Sequence, residues 1–252
     1  MNEPRIVGVI PARYASTRLP GKPLKSILGK TMIQRVYLRC RESEVLDEVC
    51  IATDDRRIAE SVEAVGGRAI MTSQDHVSGT DRLAEAVESI SADLVVNIQG
   101  DQPFIDPNMI REAVAPLLED AAIDMGTLMH RITREEDLHD PAVVKVVTDL
   151  AGFALYFSRS TIPYPRNPQA SAVFEHVGLY VYRREFLLRL AQLPPTPLEQ
   201  TESLEQLRVL EHGHRICVVE TQCLDNEFSG LSVDTPEDLA RAEAMLRDRG
   251  GE

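Results

Sequence analysis

Short apolar runs alternate along the chain with segments whose apolar positions recur at helical spacing. Residues 6–10 (IVGVI), 48–53 (EVCIAT), 68–72 (RAIMT) and 93–98 (DLVVNI) have the length and the β-branched content of strands. Between them lie the helical faces Ile33, Val36, Tyr37 and Cys40, then Ile58, Val62 and Val65, then Leu83, Val87 and Ile90. Each of these helices has a start signal: Thr31 with Gln34, Asp54-Asp55, and Ser78 with Asp81. Gly66-Gly67 closes the second helix. Strand and helix in this rhythm predict a parallel sheet covered on both faces, with ligands bound outside the carboxyl ends of its strands. On that rule the loops 11–24, 73–80 and 99–103 meet in one crevice.

Beyond a helix over about 108–119 the rhythm changes. Residues 124–132, 142–148, 153–158 and 174–182 read as strands, with 149–152 as a hairpin turn and a short helix ending near 193. The stretch of about 125–195 thus reads as a smaller mixed α/β lobe inserted into a single domain over 1–252. Thr196-Pro197-Leu198-Glu199 is a capping box with proline at the first helical position. It predicts one helix to about 211 with Leu204, Leu207 and Leu210 inward. Residues 216–220 form a late strand, and Thr235-Pro236-Glu237-Asp238 caps a last helix through 246. There is no internal repeat or low-complexity tract.

Composition narrows the class. At 252 residues the chain can bury a full core, and no apolar run reaches the length of a membrane span. The start, MNEPRIVGVI, lacks the basic and apolar regions of a secretion signal. The four cysteines, Cys40, Cys50, Cys217 and Cys223, show no C-x-x-C spacing and read as buried thiols of a reducing compartment. A cytoplasmic location is therefore expected. The net charge of −13 argues against a nucleic-acid partner. Its distribution says more: residues 1–41 carry +8, so the remainder carries −21. A positive zone in an acidic protein suits a small polyanion such as a nucleoside triphosphate, or it is a solvated basic face.

Candidate chemistry follows the predicted crevice. The loop PARYASTRLPGKPL at 11–24 sets Arg13, Arg18 and Lys22 directly after the first strand. Asp101 follows an apolar strand beside Gly100; it reads as an oxygen ligand for Mg²⁺ or as a turn aspartate. Asp234 reads as a second such ligand or as a cap residue before the last helix. Arg82 and Arg159 could grip a carboxylate by bidentate contact, against ordinary surface pairing. His176 and Tyr180, four apart in a strand, face one side. Glu202, Glu205 and Gln206 lie on the side of their helix away from the leucines, where a solvated face is the plain reading. Zinc spacing, a Walker loop and a nucleophile elbow are missing, and Gly8 alone makes no dinucleotide fingerprint.

Taken together, IPARYASTRLPGKPL, DHVSGTDRLAEAV, VNIQGDQPFI, VKVVTD, LYFSRSTIPYPR, HVGLYVYRREFL, LEQLRVL and VDTPEDLARAE resemble, in order and over nearly the whole chain, the 3-deoxy-manno-octulosonate (Kdo) cytidylyltransferases. The resemblance implies a Rossmann-like nucleotidyltransferase core with a mostly parallel sheet and a smaller mixed α/β lobe for sugar binding and homodimer formation. It implies transfer of CMP from CTP to Kdo, giving CMP-Kdo and diphosphate for lipopolysaccharide. Arg13 and Lys22 would hold the triphosphate with Ser16 assisting, and Ser78, Gly79 and Thr80 would line the cytosine pocket. Asp101 and Asp234 would carry Mg²⁺. Arg82, Gln99, Arg159, His176, Tyr180, Glu205 and Gln206 would bind the acidic sugar. Gln102 stands where many relatives carry Glu, residues 166–175 are short for the family, and Ser232-Val233 precedes Asp234 where glycine is common. An amino-substituted Kdo or sialic acid as substrate, and an inactive nucleotide-binding protein, are the competing readings.

Overall fold

In the computed structural model the described residues are 3–16, 18–76, 78–167, 172–223 and 232–248. They fall into two compact units, one of residues 1–111 and 223–252, the other of residues 112–222, a span that contains the stretch 125–195.

The first unit is a parallel sheet. Its strands are β1 (Ile6–Ala12), β4 (Glu48–Thr53), β5 (Arg68–Met71) and β6 (Leu94–Asn97), after the small hairpin of β2 (Ser26–Ile27) and β3 (Lys30–Thr31). They lie in the order β6-β1-β4-β5 with all neighbours parallel. Val7, Val9 and Ile10 are wholly buried, as a central strand covered on both faces requires. The helices are α1 (Met32–Arg41), α2 (Arg56–Glu63) and α3 (Gly79–Glu88), with α4 (Pro107–Glu119) at the boundary. Their starts are the capping residues read from the sequence. Thr31 and Gln34 close a reciprocal box, Asp55 accepts from the Arg57 amide, and Ser78 accepts from the Asp81 amide. The last helix, Pro236–Asp248, belongs to this unit, and its Thr235 hydroxyl accepts from the Asp238 amide at 3.2 Å.

The second unit is a mixed sheet in the order β11-β7-β10-β8-β9. It comprises β7 (Met125–Arg131), β8 (Lys145–Thr148), β9 (Ala154–Ser158), β10 (Phe174–Arg183) and β11 (Cys217–Glu220). Only β11 and β7 run parallel. Asp149 turns the β8–β9 hairpin by accepting from the amides of Ala151 and Phe153. The helices are α5 (Glu135–His139), α6 (Arg184–Leu190), α7 (Pro197–Glu202) and α8 (Gln206–Glu211).

The single helix expected over 197–211 is two, broken where Ser203 takes a left-handed conformation at φ 53°. The break turns the second helix, so Gln206, Leu207 and Val209 are buried while Leu210 is only partly covered. Gln206, read on local spacing as part of a solvated face, points inward. Cys40, Cys50 and Cys217 are buried thiols, and burial pushes Cys50 up to about 12. No helix among the described residues is long and apolar enough to cross a membrane.

Candidate active site

At the carboxyl end of β1, in the first unit, lies a cleft of about 290 Å³. Arg13, Ser16, Arg18 and Lys22 line it from the basic loop, Gln99, Gly100 and Asp101 from the loop after β6, and Asp234 from the segment before the last helix. Lys22 organises it. Its Nζ donates to Asp101 Oδ2 at 2.8 Å and to Asp234 Oδ1 at 2.7 Å, and Arg18 adds a 3.0 Å contact to Asp234. The Lys22 side chain is 14% exposed and the two carboxylates 27% and 29%.

Local structure explains how these groups meet. Ser16 Oγ accepts from the Leu19 amide at 3.3 Å, and Leu19 is buried, which pins the middle of the loop. Gly21 then takes a left-handed conformation, φ 67°, to start the 3-10 turn Lys22–Leu24 that carries the ammonium. Gly100 permits a close approach: a Cβ there would sit 3.0 Å from the Pro11 carbonyl oxygen. The Val233 amide donates to the Asp101 carbonyl at 2.9 Å, so the main chain itself brings Asp234 beside Asp101. Ser78, Gly79 and Thr80 form the start of α3, where a Cβ on Gly79 would lie 3.9 Å from Pro11. The helix thus opens next to the end of β1.

Two carboxylates sharing one ammonium are separated by no more than the sum of those two hydrogen-bond lengths. Their donor set is all oxygen, and among the described residues no third His, Cys, Asp or Glu joins to form a metal cluster. That suits Mg²⁺, which binds through one or two carboxylates together with substrate phosphates and water. The residues present therefore fit such an ion.

Arg82 is placed differently from the other cations. Its guanidinium is 4% exposed; Nη1 donates to Thr72 Oγ1 at 2.5 Å and Nη2 to Asp54 Oδ2 at 2.9 Å. It locks the first turn of α3 to the ends of β4 and β5 within the first unit.

The second unit gathers the other candidates around β10. Register between β10 and β7 shifts after Val177, leaving Gly178 and Leu179 as extra residues. The buried Thr127 Oγ1 answers the carbonyls freed there, at 3.1 Å from Val177 O and 2.8 Å from Leu179 O, and lies 3.0 Å from His176 Nε2. With its one proton on a carbonyl, Thr127 accepts from Nε2–H, which leaves Nδ1 as the lone-pair nitrogen of a neutral ring. His176 packs edge-on to Phe157 at 5.0 Å and against Tyr180 at 5.3 Å. Burial pushes His176 down to about 3. Burial, with the charge of Glu205 second, pushes the Tyr180 phenol well above its ordinary range.

Arg159 is held at the break between α7 and α8. Its Nε donates to the Glu202 carbonyl at 2.7 Å, Nη1 to the Pro141 carbonyl at 2.9 Å and Nη2 to the Ser203 carbonyl at 3.4 Å. Burial alone would raise the Glu202 carboxyl, but hydrogen bonds from Ser158 Oγ (2.6 Å) and the Arg159 amide (3.0 Å) hold it below its usual range.

The His176 environment makes a testable pH dependence. A histidine with a folded pKa of about 3 and an unfolded value near 6.5 binds fewer protons when folded, so its contribution is present above the unfolded value and is lost as pH falls toward 3. Urea unfolding will show about 2 kcal/mol less stability at pH 5 than at pH 7 from this group. His176→Gln will flatten that part of the profile; an unchanged slope would mean the ring titrates normally.

Sequence reasoning named Arg18 in the basic loop without giving it a role, and its position four residues before Lys22 was the available signal. Thr127 carried no signal, and Glu202 reads from local spacing as part of a solvated face, because their partners lie 49 and 43–44 residues away.

A cationic loop and paired carboxylates outside the carboxyl ends of a parallel sheet define an α/β protein that handles a phosphate-rich nucleotide. A family model described as cytidylyltransferase matches residues 7–216. The chain is 57% identical to the 3-deoxy-manno-octulosonate cytidylyltransferase of Syntrophotalea carbinolica over 96% of this chain and 98% of the relative. It is 53% identical to the protein of the same name from Geotalea daltonii over 98% and 100%. A solved structure of CMP:2-keto-3-deoxy-manno-octonic acid synthetase complexed with CTP superposes with a TM-score of 0.91 at 45% identity, covering 97% of this chain and 99% of that one. A cytidylyltransferase from Leptospira borgpetersenii, 17% identical with a TM-score of 0.65 over 98% of this chain and 88% of that one, shares the fold. The chain belongs to the 3-deoxy-manno-octulosonate cytidylyltransferase family and is a nucleotidyltransferase enzyme.

Proposed function

We propose that the protein transfers CMP from CTP to Kdo, giving CMP-Kdo and diphosphate for lipopolysaccharide synthesis, in the cytoplasm and as a homodimer. The anomeric hydroxyl attacks the α-phosphorus, the bond to the bridging oxygen of the β-phosphate breaks, and diphosphate leaves in line while the hydroxyl proton passes to solvent. The observation that carries this reading is Lys22 tying Asp101 to Asp234 beside the cationic loop, in a chain with full-length kinship to the Kdo enzymes.

Such a transfer needs position and charge neutralisation more than side-chain chemistry. Arg13 and Lys22 bind the triphosphate, Ser16 keeps their loop in shape, and the turn Ser78-Gly79-Thr80 reads cytosine largely through main-chain groups. Asp101 and Asp234 would hold Mg²⁺, which when bound neutralises the α-phosphate and lowers the pKa of the attacking hydroxyl. Gln99, His176, Tyr180, Glu205 and Gln206 contact the sugar. Arg82, already engaged by Asp54 and Thr72, acts in this reading by holding the start of α3, and Arg159 by holding the break that precedes Glu205 and Gln206.

A diphosphate-release assay with CTP and each of Kdo, an amino-substituted Kdo and sialic acid decides among substrates. We expect Mg²⁺-dependent release with CTP and Kdo, falling at least about 10²-fold in Asp101→Ala. Greater turnover with another acidic sugar would transfer the assignment to it. Binding of CTP without release under any condition would favour an inactive nucleotide-binding protein.

A further inference from the structure

The basic loop is braced from outside the cleft by three stacked groups. Tyr14 directly follows Arg13, and its ring lies against Gly21, which directly precedes Lys22. A Cβ at Gly21 would sit 3.2 Å from Tyr14 Cε2 and Oη and 3.3 Å from Cζ. Over the same ring lies the Arg57 guanidinium, its Cζ 3.6 Å from the ring centroid. That guanidinium is held in turn by Asp55, the N-cap of α2: Nε donates to Oδ1 at 2.9 Å and Nη2 to Oδ2 at 2.6 Å. Tyr14, Asp55 and Arg57 do not line the cleft themselves.

Among the described residues the loop is otherwise held by the Ser16–Leu19 contact and by the ion pairs of Arg18 and Lys22 with the carboxylates. Arg13, Ala15, Arg18 and Pro20 are exposed, and the chief apolar anchor between Arg13 and Lys22 is Leu19. A single ring that touches the residue before Lys22 and sits next to Arg13 sets the spacing of those two cations. The bidentate Asp55 contact fixes the orientation of the guanidinium, so Arg57 meets the ring with its planar face in a cation–π contact. Lysine, a point charge on a flexible stem, would keep the charge over the ring and lose the fork to Asp55.

We propose that Arg57 is a positioning residue for the nucleotide: with Asp55 it clamps Tyr14 onto Gly21 and thereby holds Arg13 and Lys22 at the separation the triphosphate requires. The proposal rests on the reading that this loop binds the triphosphate of CTP.

The test uses the full chain with CTP, Kdo and Mg²⁺. In Arg57→Ala the KM for CTP rises about fivefold to tenfold, while kcat at saturating CTP stays within about twofold, the KM for Kdo is unmoved and the thermal midpoint is unchanged. Arg57→Lys recovers only part of the loss, because it keeps the charge over the ring without the fork to Asp55. Tyr14→Ala reproduces the Arg57→Ala effect, Tyr14→Phe does not, and the double substitution Tyr14→Ala with Arg57→Ala is no worse than either alone, as expected for one shared contact. An unchanged KM for CTP in Arg57→Ala, additive effects in the double variant, or full recovery with lysine would each overturn the proposal while leaving the wild-type reaction intact. Absence of CTP-dependent release in the wild type would instead overturn the reading beneath it, and the proposal with it.

Discussion

Lys22→Met will lower kcat/KM for CTP by about 10²-fold to 10³-fold, the loss typical of removing one preorganised charge from a transferring group. Two effects combine. The triphosphate loses its most sheltered cation, and Asp101 and Asp234 are left facing each other with only Arg18 on one of them. Both carboxylates are more than a quarter exposed, so their repulsion is moderated by solvent and by any divalent ion that replaces the ammonium. The missing phosphate contact has no such substitute. Raising Mg²⁺ should therefore recover part of the activity of Lys22→Met and leave the larger part lost. Steady-state kinetics over a Mg²⁺ series reads this directly. Full recovery would assign Lys22 to the carboxylates alone, and a loss below threefold would remove it from the site.

Arg82→Met will destabilise the fold by about 3 kcal/mol, measured by urea unfolding. The guanidinium is nearly inaccessible, and its departure leaves Asp54 in a covered position where Oδ1 already lacks a hydrogen-bond partner. Removing one member of a sheltered pair costs more than removing both, because the remaining charge has no compensation. The double variant Arg82→Met with Asp54→Leu should accordingly regain a large part of the loss, a coupling that a pair in open solvent would not show. A single-variant cost under about 1 kcal/mol would place this pair with ordinary surface contacts.

The contrast between these two residues shows what the sequence could convey. The parallel core was legible because each of its helices starts with a capping pair within three residues and each strand is an uninterrupted apolar run. Local chemistry carries both signals. The cleft was legible because the carboxyl-end rule sends loops to one edge regardless of side-chain detail. The partners of single charges were not legible. Arg82 and Arg159 look alike as isolated arginines, and their engagement is decided by Asp54, 28 residues away, and by the carbonyls of residues 202 and 203, 43 and 44 residues on. The break at Ser203 escaped for a related reason. A capping box announces where a helix starts, but nothing in LEQLRVL marks a left-handed serine ahead of it. Arg159, just after β9, reaches the carbonyl of that serine.

The tie between residues 22, 101 and 234 also bears on how the protein is made. Chains emerge from the ribosome amino end first, at about 5–20 residues per second. The strands β1, β4, β5 and β6 are all synthesised before residue 100, so the sheet and the Lys22–Asp101 contact have their parts early. Asp234 and the Val233 amide that steers it arrive only after the whole second unit has been translated. Synthesis order therefore delays completion of the carboxylate pair until nearly the last of these residues has emerged, and a nascent chain halted before that point holds its lysine against a single aspartate.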